Sequence, residues 1–364
     1  MSGGITQLVA IGAQDAHLVG NPEVSFFRST YKRHTNFSQT TERQVIQGNV
    51  ANNGTSTVRF ERKGDLLGYV YLAMSDGTQS LQLSDIAGPA PYDVAPPAWV
   101  DMISKVELLI GGQVIDDQDS VFSSNIATDL FAQNLSKSKN GTQQIAFYPL
   151  RFFFCENWQS ALPLVSLQYH DVEIRITWGK SAATAYKTLG QSLRWDCYAN
   201  FTYLDTAERT ELANKPQNML VYQIQKSVAS QSKVQELVFN HPIRFLSSSN
   251  TASGVKNGVF SPSNKIKLQL NGTDIADFKY AAPNFTTTTT YYHVPFVNDN
   301  PNVVFMYPFC IDTSKLQPTG TLNFSRLDSA RIVSQDDNIV DDVYACNYNI
   351  LRIQNGMGGL MYAN

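Results

Sequence analysis

Five histidines, four cysteines and two acidic clusters are the residues whose types could carry a reaction or hold a metal. His17, His34, His170, His241 and His293 are scattered, and none stands at the spacing that puts two zinc ligands on one helix face. Cys155, Cys197, Cys310 and Cys346 form no Cys-x-x-Cys pair, so no zinc or redox motif is predicted. In apolar or alternating stretches such thiols pack as small hydrophobes. Asp116, Asp117 and Asp119 could suggest calcium but lack the glycine and distal glutamate of a calcium loop, and read as a solvated loop. Asp336, Asp337, Asp341 and Asp342, around Asn338, read as an exposed loop between strands. Gly356-Met357-Gly358-Gly359 has no following lysine and hydroxyl residue to hold phosphate, which leaves a turn or close backbone packing. No Gly-x-Ser-x-Gly elbow occurs. No catalytic, cofactor-binding or metal residue is therefore expected, and no cofactor.

The composition narrows the classes further. At 364 residues the chain can fill two domains, each with its own core. Charged residues make up 16% of it, against about 25% in typical soluble proteins. Uncharged polar residues fill the deficit, as in 247–250 and 286–290, which suits short strands joined by polar loops. Lysine plus arginine number 28 against 31 aspartate plus glutamate, so no basic excess exists to neutralise a nucleic-acid backbone and direct nucleic-acid binding is not expected. Low charge instead permits dense packing against copies of the same chain, because charged residues are depleted at interface centres. No secretory leader is read at the start, and no apolar run approaches the roughly 18 residues of a spanning helix. A soluble, intracellularly made protein is the expectation. The sequons at Asn36, Asn53, Asn134, Asn140, Asn200, Asn271, Asn284 and Asn323 are then mostly chance.

The elements that must position these residues are mainly strands. Leu193, Trp195, Cys197, Ala199, Phe201 and Tyr203 alternate with polar residues including Asn200, the mark of a half-buried strand. Residues 265–270 and, less cleanly, 105–110 repeat that period, each followed by a glycine-bearing turn, as hairpin arms do. Further strands are predicted over 56–60, 67–74, 146–154, 171–177, 234–239, 303–307 and 343–353. Helices are few and short. Asp205-Thr206-Ala207-Glu208 resembles a capping box, starting a helix that runs to about Asn214 and stops at Lys215-Pro216. Phe122, Ile126 and Leu130 recur at a spacing of four within a second candidate over 121–135.

The chain also repeats itself. Lys105-Val106-Glu107-Leu108, through Gly112 and Asp117, aligns with Lys265-Ile266-Lys267-Leu268, through Gly272 and Asp277, at an offset of 160. Tyr148-Pro149 then matches Tyr307-Pro308, and residues 167–171 match 324–328, at offsets of 159 and 157. Two similar halves rich in short strands predict a duplicated β-sandwich.

Longer ordered motifs resemble one family. Gly12-Ala13-Gln14-Asp15, Gly20-Asn21-Pro22, Phe26-Phe27-Arg28 and Tyr31-Lys32-Arg33-His34-Thr35-Asn36-Phe37 are similar to the opening of major capsid proteins of nucleocytoplasmic large DNA viruses, those of algal viruses in particular. Ala161-Leu162-Pro163-Leu164, Leu167-Gln168-Tyr169-His170, Asp205-Thr206-Ala207-Glu208-Arg209 and Asn240-His241-Pro242 follow in order. The resemblance is strongest in Asn323-Phe324-Ser325-Arg326-Leu327-Asp328 and in Asn347-Tyr348-Asn349-Ile350-Leu351-Arg352-Ile353, closing in Gly356-Met357-Gly358-Gly359-Leu360. It implies an all-β chain of two tandem eight-stranded jelly-roll sandwiches with few short helices. The expected divisions are an N-terminal arm over 1–25, a first jelly roll over 26–205, a connector helix and turn over 206–219, and a second jelly roll over 220–364. It further implies a homotrimeric, pseudo-hexagonal capsomer that contacts neighbouring capsomers in an icosahedral virion shell, over an inner membrane and a double-stranded DNA genome. Minor capsid proteins and the inner viral membrane would meet the arm, and synthesis would be in the host cytoplasm. The second half is short for this family, which implies short loops there, and related capsid proteins can carry glycans by their own routes.

Basic Tyr31-Lys32-Arg33-His34 could touch an anionic membrane, but so few cations favour a protein neighbour. Two rival functions remain open. Jelly rolls also serve as carbohydrate-binding or glycan-processing proteins, for which Trp99 and Trp158 are the aromatic candidates. A minor or vertex capsid paralogue is the other.

Overall fold

The computed structural model describes residues 3–82, 85, 98–134, 137, 147–183, 193–249, 263–295 and 304–362. One compact unit ends at Asn36 and a second begins at Phe37. The first contains two short helices, Gly3–Val9 and Ala16–Val19, which bury no residue. Leu8, Val9, Leu18, Phe26 and Phe27 are all exposed.

In the second unit the strands come in two series. The first comprises β1 (Phe37–Gln44), β2 (Ile46–Gln47), β3 (Thr55–Arg59), β4 (Leu66–Ser75), β5 (Ser80–Leu81) and β6 (Ile103–Ile110). It continues with β7 (Gln113–Asp119), β8 (Phe147–Pro149), β9 (Leu162–Pro163), β10 (Val172–Trp178) and β11 (Arg194–Leu204). The second series comprises β12 (Gln217–Ser227), β13 (Val234–Glu236), β14 (Pro242–Ser249), β15 (Lys265–Leu270), β16 (Thr273–Asp274) and β17 (Lys279–Tyr280). It ends with β18 (Val304–Pro308), β19 (Leu322–Asn323), β20 (Ala330–Ser334), β21 (Val343–Gln354) and β22 (Met357–Leu360).

Hydrogen bonding sorts them into four sheets. The ladders β1-β11-β4, with β8 on the free side of β4, and β3-β10-β6-β7 make the first sandwich. The ladders β12-β21-β14-β18 and β13-β20-β15-β16 make the second. Each is the same interleaving of eight strands in two antiparallel sheets, the jelly-roll order of two Greek keys. Apolar side chains of both sheets fill each core: Leu72 and Phe201 meet Val106 and Ile174 in the first, Leu246 and Phe305 meet Ile266 and Ile332 in the second.

Strand registers test the internal repeat. Tyr148 pairs with Leu72 as Tyr307 pairs with Leu246, so Tyr148-Pro149 and Tyr307-Pro308 are structural counterparts. The third match is out of register. The 3-10 turns Leu164–Ser166 and Phe324–Arg326 follow equivalent strands, whereas Ile110 pairs with Val172 and Leu270 with Ala330. Two residues are lost between turn and strand in the second half, a shift that a gapless comparison of 167–171 with 324–328 cannot absorb.

Several expected elements are altered. In 146–154 only Phe147–Pro149 is a strand, Phe153–Glu156 is a helical turn, and Ala146 lies outside the described residues. Val303 and Leu135 also lie outside them. The candidate helix over 121–135 is a π-helical turn, Phe122–Ile126, running into Ala127–Leu130. Asp205 caps helix Thr206–Asn214 by accepting the Thr206 N–H at 2.7 Å, but Glu208 Oε2 has no hydrogen-bond partner, so the cap is a single bond and not a reciprocal box.

The hairpins depend on left-handed backbone. Gly111 and Gly112 have φ of +58° and +81°, and Asn271 and Gly272 have +49° and +77°, the conformation of two-residue turns that follow the twist of the strands. A Cβ on Gly111 would lie 2.5 Å from the His170 ring, whereas one on Gly112 would meet nothing. Gly112→Ala should therefore cost about 1 kcal/mol from backbone strain alone. Gly111→Ala should cost clearly more, and thermal unfolding of the two variants side by side measures the difference.

Candidate functional site

His170 Nδ1 lies 2.9 Å from the Gly358 carbonyl and His293 Nδ1 3.0 Å from the Cys310 carbonyl, each on a different part of the fold. Among the described residues no three His, Cys, Asp or Glu side chains form a metal-holding group. Cys197, Cys310 and Cys346 are buried and all four thiols are free. Burial pushes Cys197 and Cys346 up to about 12, which keeps both protonated. Trp99 is buried in the first core beside Trp195 and Tyr148, while Trp158 is exposed. Among the sequons, Asn140 lies outside the described residues and Asn200 is buried beside Gly68 at a register shift between β11 and β4, so its side chain is closed to modification in the fold.

The glycine-rich end is close backbone packing. Asn355 and Gly356, at φ +54° and +78°, turn β21 into β22, and the Gly356 carbonyl accepts the Tyr169 N–H at 2.9 Å. A Cβ on Gly358 would lie 2.7 Å from Leu167. This last hairpin of the second sandwich thus rests on the loop before β10 in the first.

The acidic clusters required correction. Asp116, Asp117 and Asp119 lie on strand β7, not in a solvated loop, and the strand alternation sends Asp117 outward to Lys105 at 2.8 Å. Asp116 is buried against the second sandwich, where one carboxylate oxygen accepts the Ile224 N–H at 2.9 Å and the other accepts Gln118 Nε2 at 2.7 Å. Asp119 accepts the Phe122 N–H at 3.0 Å and the Tyr344 hydroxyl at 2.6 Å. Lys226 then bridges Asp119 and Asp342 at 2.8 and 2.7 Å. Asp336 does lie in the loop before β21, but Asp341 is buried and Asp342 belongs to this bridge.

A seam between the two sandwiches emerges from these contacts. Beside the polar line lies an apolar one, in which Phe122, Ile126, Leu130 and Phe131 of the first half pack on Phe245, Met306, Tyr344 and Cys346 of the second. Those four come from β14, β18 and β21, on the side of the sheet away from its own core, so that sheet is buried on both faces. At the end of the seam Arg244 is only 3% exposed. Its guanidinium lies 5.1 Å from the Tyr348 ring and 5.9 Å from those of Phe131 and Tyr222, and Nη2 donates to the carbonyls of Thr313 and Lys315. Thr313 Oγ donates to the Leu130 carbonyl at 2.7 Å. The arrangement ties the two sandwiches together through buried polar and aromatic contacts.

Two sandwiches of one topology, joined face to flank through a seam, define the double jelly-roll class of proteins. The comparisons are specific within it. Residues 25–208 match the family described as major capsid protein N-terminus, and residues 208–359 match large eukaryotic DNA virus major capsid protein. The chain is 34% identical to the major capsid protein of Pyramimonas orientalis virus and 29% identical to that of Paramecium bursaria Chlorella virus 1, over 100% of both chains in each case. In fold it matches a chain of the PBCV-1 virus capsid with a TM-score of 0.73 and 24% identity, over 93% of this chain and 100% of that one. The Faustovirus major capsid protein matches with a TM-score of 0.59 and 10% identity, over 94% of each. The chain belongs to the major capsid proteins of large eukaryotic DNA viruses.

Two measurements probe the seam. Phe122→Ala removes a fully buried aromatic side chain of its apolar line and should cost about 3–5 kcal/mol in denaturant unfolding. Burial pushes the Asp116 carboxyl up to about 7 from its ordinary 3.8. A raised value in the folded chain means that the stability this group contributes is full below about pH 4 and is lost as pH rises through about 7. Asp116→Asn, neutral throughout, should flatten that dependence, so that wild type loses stability relative to the variant between those pH values.

Proposed function

We propose that the chain is a non-enzymatic shell brick that trimerises into pseudo-hexagonal capsomers, which tile an icosahedral capsid around an inner membrane and a double-stranded DNA genome. The observation that carries this reading is the seam. Two sandwiches of one topology already sit side by side within a chain, so three chains around a closed axis supply six similar corners with every contact satisfied.

On this reading the chain divides into an arm over 1–25, a first jelly roll over 26–205, a connector over 206–219 and a second jelly roll over 220–364. Synthesis is in the host cytoplasm. The arm, whose apolar side chains bury nothing within its own unit, faces inward, where minor capsid proteins and the inner membrane meet it. Of the two aromatic candidates for a sugar-binding role, Trp99 is committed to the core and Trp158 alone is exposed.

Light scattering of the purified chain tests the assembly. A particle of three times the 40.5 kDa chain mass is expected. A monomer throughout the micromolar range would contradict it.

A further inference from the structure

One sheet face is covered in the second sandwich, and its counterpart in the first leaves Tyr69 and Phe147 exposed. On the outer side of the β1-β11-β4-β8 sheet, Tyr71 and Tyr198 stack at 5.3 Å, Phe147 meets Tyr71 edge-on at 5.6 Å, and Tyr69 follows at 6.4 Å. Phe147 and Tyr69 are 42% and 48% exposed. The ladders identify the counterparts of three of these residues. Tyr71 pairs with Pro149 as Phe245 pairs with Pro308. Tyr198 pairs with Tyr71 as Cys346 pairs with Phe245. Phe147 pairs with Ala73 as Met306 pairs with Ser247. Phe245, Cys346 and Met306 are the residues buried beneath helix 122–130 of the first sandwich.

The covering helix also has a counterpart. Helix 122–130 arises between β7 and β8, and helix Thr287–His293 arises between β16 and β18, the equivalent strands. Its Tyr291 and Tyr292 pack against each other at 5.0 Å and are 71% and 72% exposed. The first half lends its helix to the second half; among the described residues, the helix of the second half leaves Tyr291 and Tyr292 uncovered.

We propose that helix Thr287–His293 of one copy docks on the Tyr69, Tyr71, Phe147 and Tyr198 face of a second copy, repeating between chains the contact that helix 122–130 makes within the chain. The inference rests on the trimer reading and specifies its surface. A second copy fits better than a sugar, because Tyr71 and Tyr198 lie at 19° to each other and already occupy one another's faces, leaving no open platform. Aromatic residues of this kind are also those enriched at protein interfaces. The contact is head-to-tail, so each chain gives one helix and receives one, and the ring closes when three chains have done so.

The test uses two full-length variants, Tyr69→Glu with Phe147→Glu on the sheet face, and Tyr291→Glu with Tyr292→Glu on the helix. All four positions are exposed, and circular dichroism checks that each variant folds. Each variant alone should fall from trimer to monomer in light scattering. An equimolar mixture should recover dimers of twice 40.5 kDa, because one intact helix can still meet one intact face. Trimers from both variants, or a mixture that stays monomeric, would overturn the contact while leaving the trimer standing. Should a variant misfold, Phe147→Cys combined with Tyr292→Cys in a single chain should oxidise to covalently linked multimers, and their absence would overturn the proposal. A monomeric wild type would instead remove the trimer reading, and this contact with it.

Discussion

A β-sheet has two faces, and the second sandwich can fill only one of them with its own core. The other face, carrying Phe245, Met306, Tyr344 and Cys346, is kept from water by helix 122–130, which the first sandwich extends across the gap. Burying a large apolar side chain of this kind stabilises by about 1.5–3 kcal/mol, so a handful of them outweighs any single polar contact of the seam. The relative placement of the two jelly rolls, and with it any regular assembly built on them, depends on that helix staying where it is.

Apolar packing alone tolerates sliding, and the polar line beside it restricts that freedom. The Ile224 N–H meets Asp116 at one position only, and Lys226 must reach both Asp119 and Asp342. Such contacts contribute little net energy once desolvation is counted, but leaving one unmade in a buried seam is costly, which is how they select one geometry. Arg244 is the clearest case. It is a buried cation held by carbonyl oxygens and aromatic rings, in a place reached only when both halves are docked.

The parts of the fold that could be read from the sequence are those where one face of a strand meets solvent. Lys265 to Leu270 alternates cleanly because its charged side faces outward, and β15 lies where the pattern placed it. β14 was invisible to the same logic: buried on both faces, Arg244-Phe245-Leu246-Ser247 has no period of two. β7 was misread as a loop because two of its aspartates, Asp116 and Asp119, serve the seam and not the solvent. β1 carries mostly polar residues along a largely exposed edge and offers no apolar rhythm at all. The family, by contrast, was legible in ordered motifs, and the run from Asn347 to Ile353 lies on β21, the central strand that pairs with both β12 and β14. A sequence lists histidines and acids but not the sheet face each will occupy.

The most direct measurement of the central claim, that one seam geometry orders both the chain and its assembly, is a cryo-electron microscopy reconstruction of the purified oligomer at side-chain resolution. The account predicts three chains about a threefold axis and six helices, each lying across the outer face of a neighbouring sheet. A twofold assembly, or a threefold one in which the two kinds of sheet are covered differently, would contradict it.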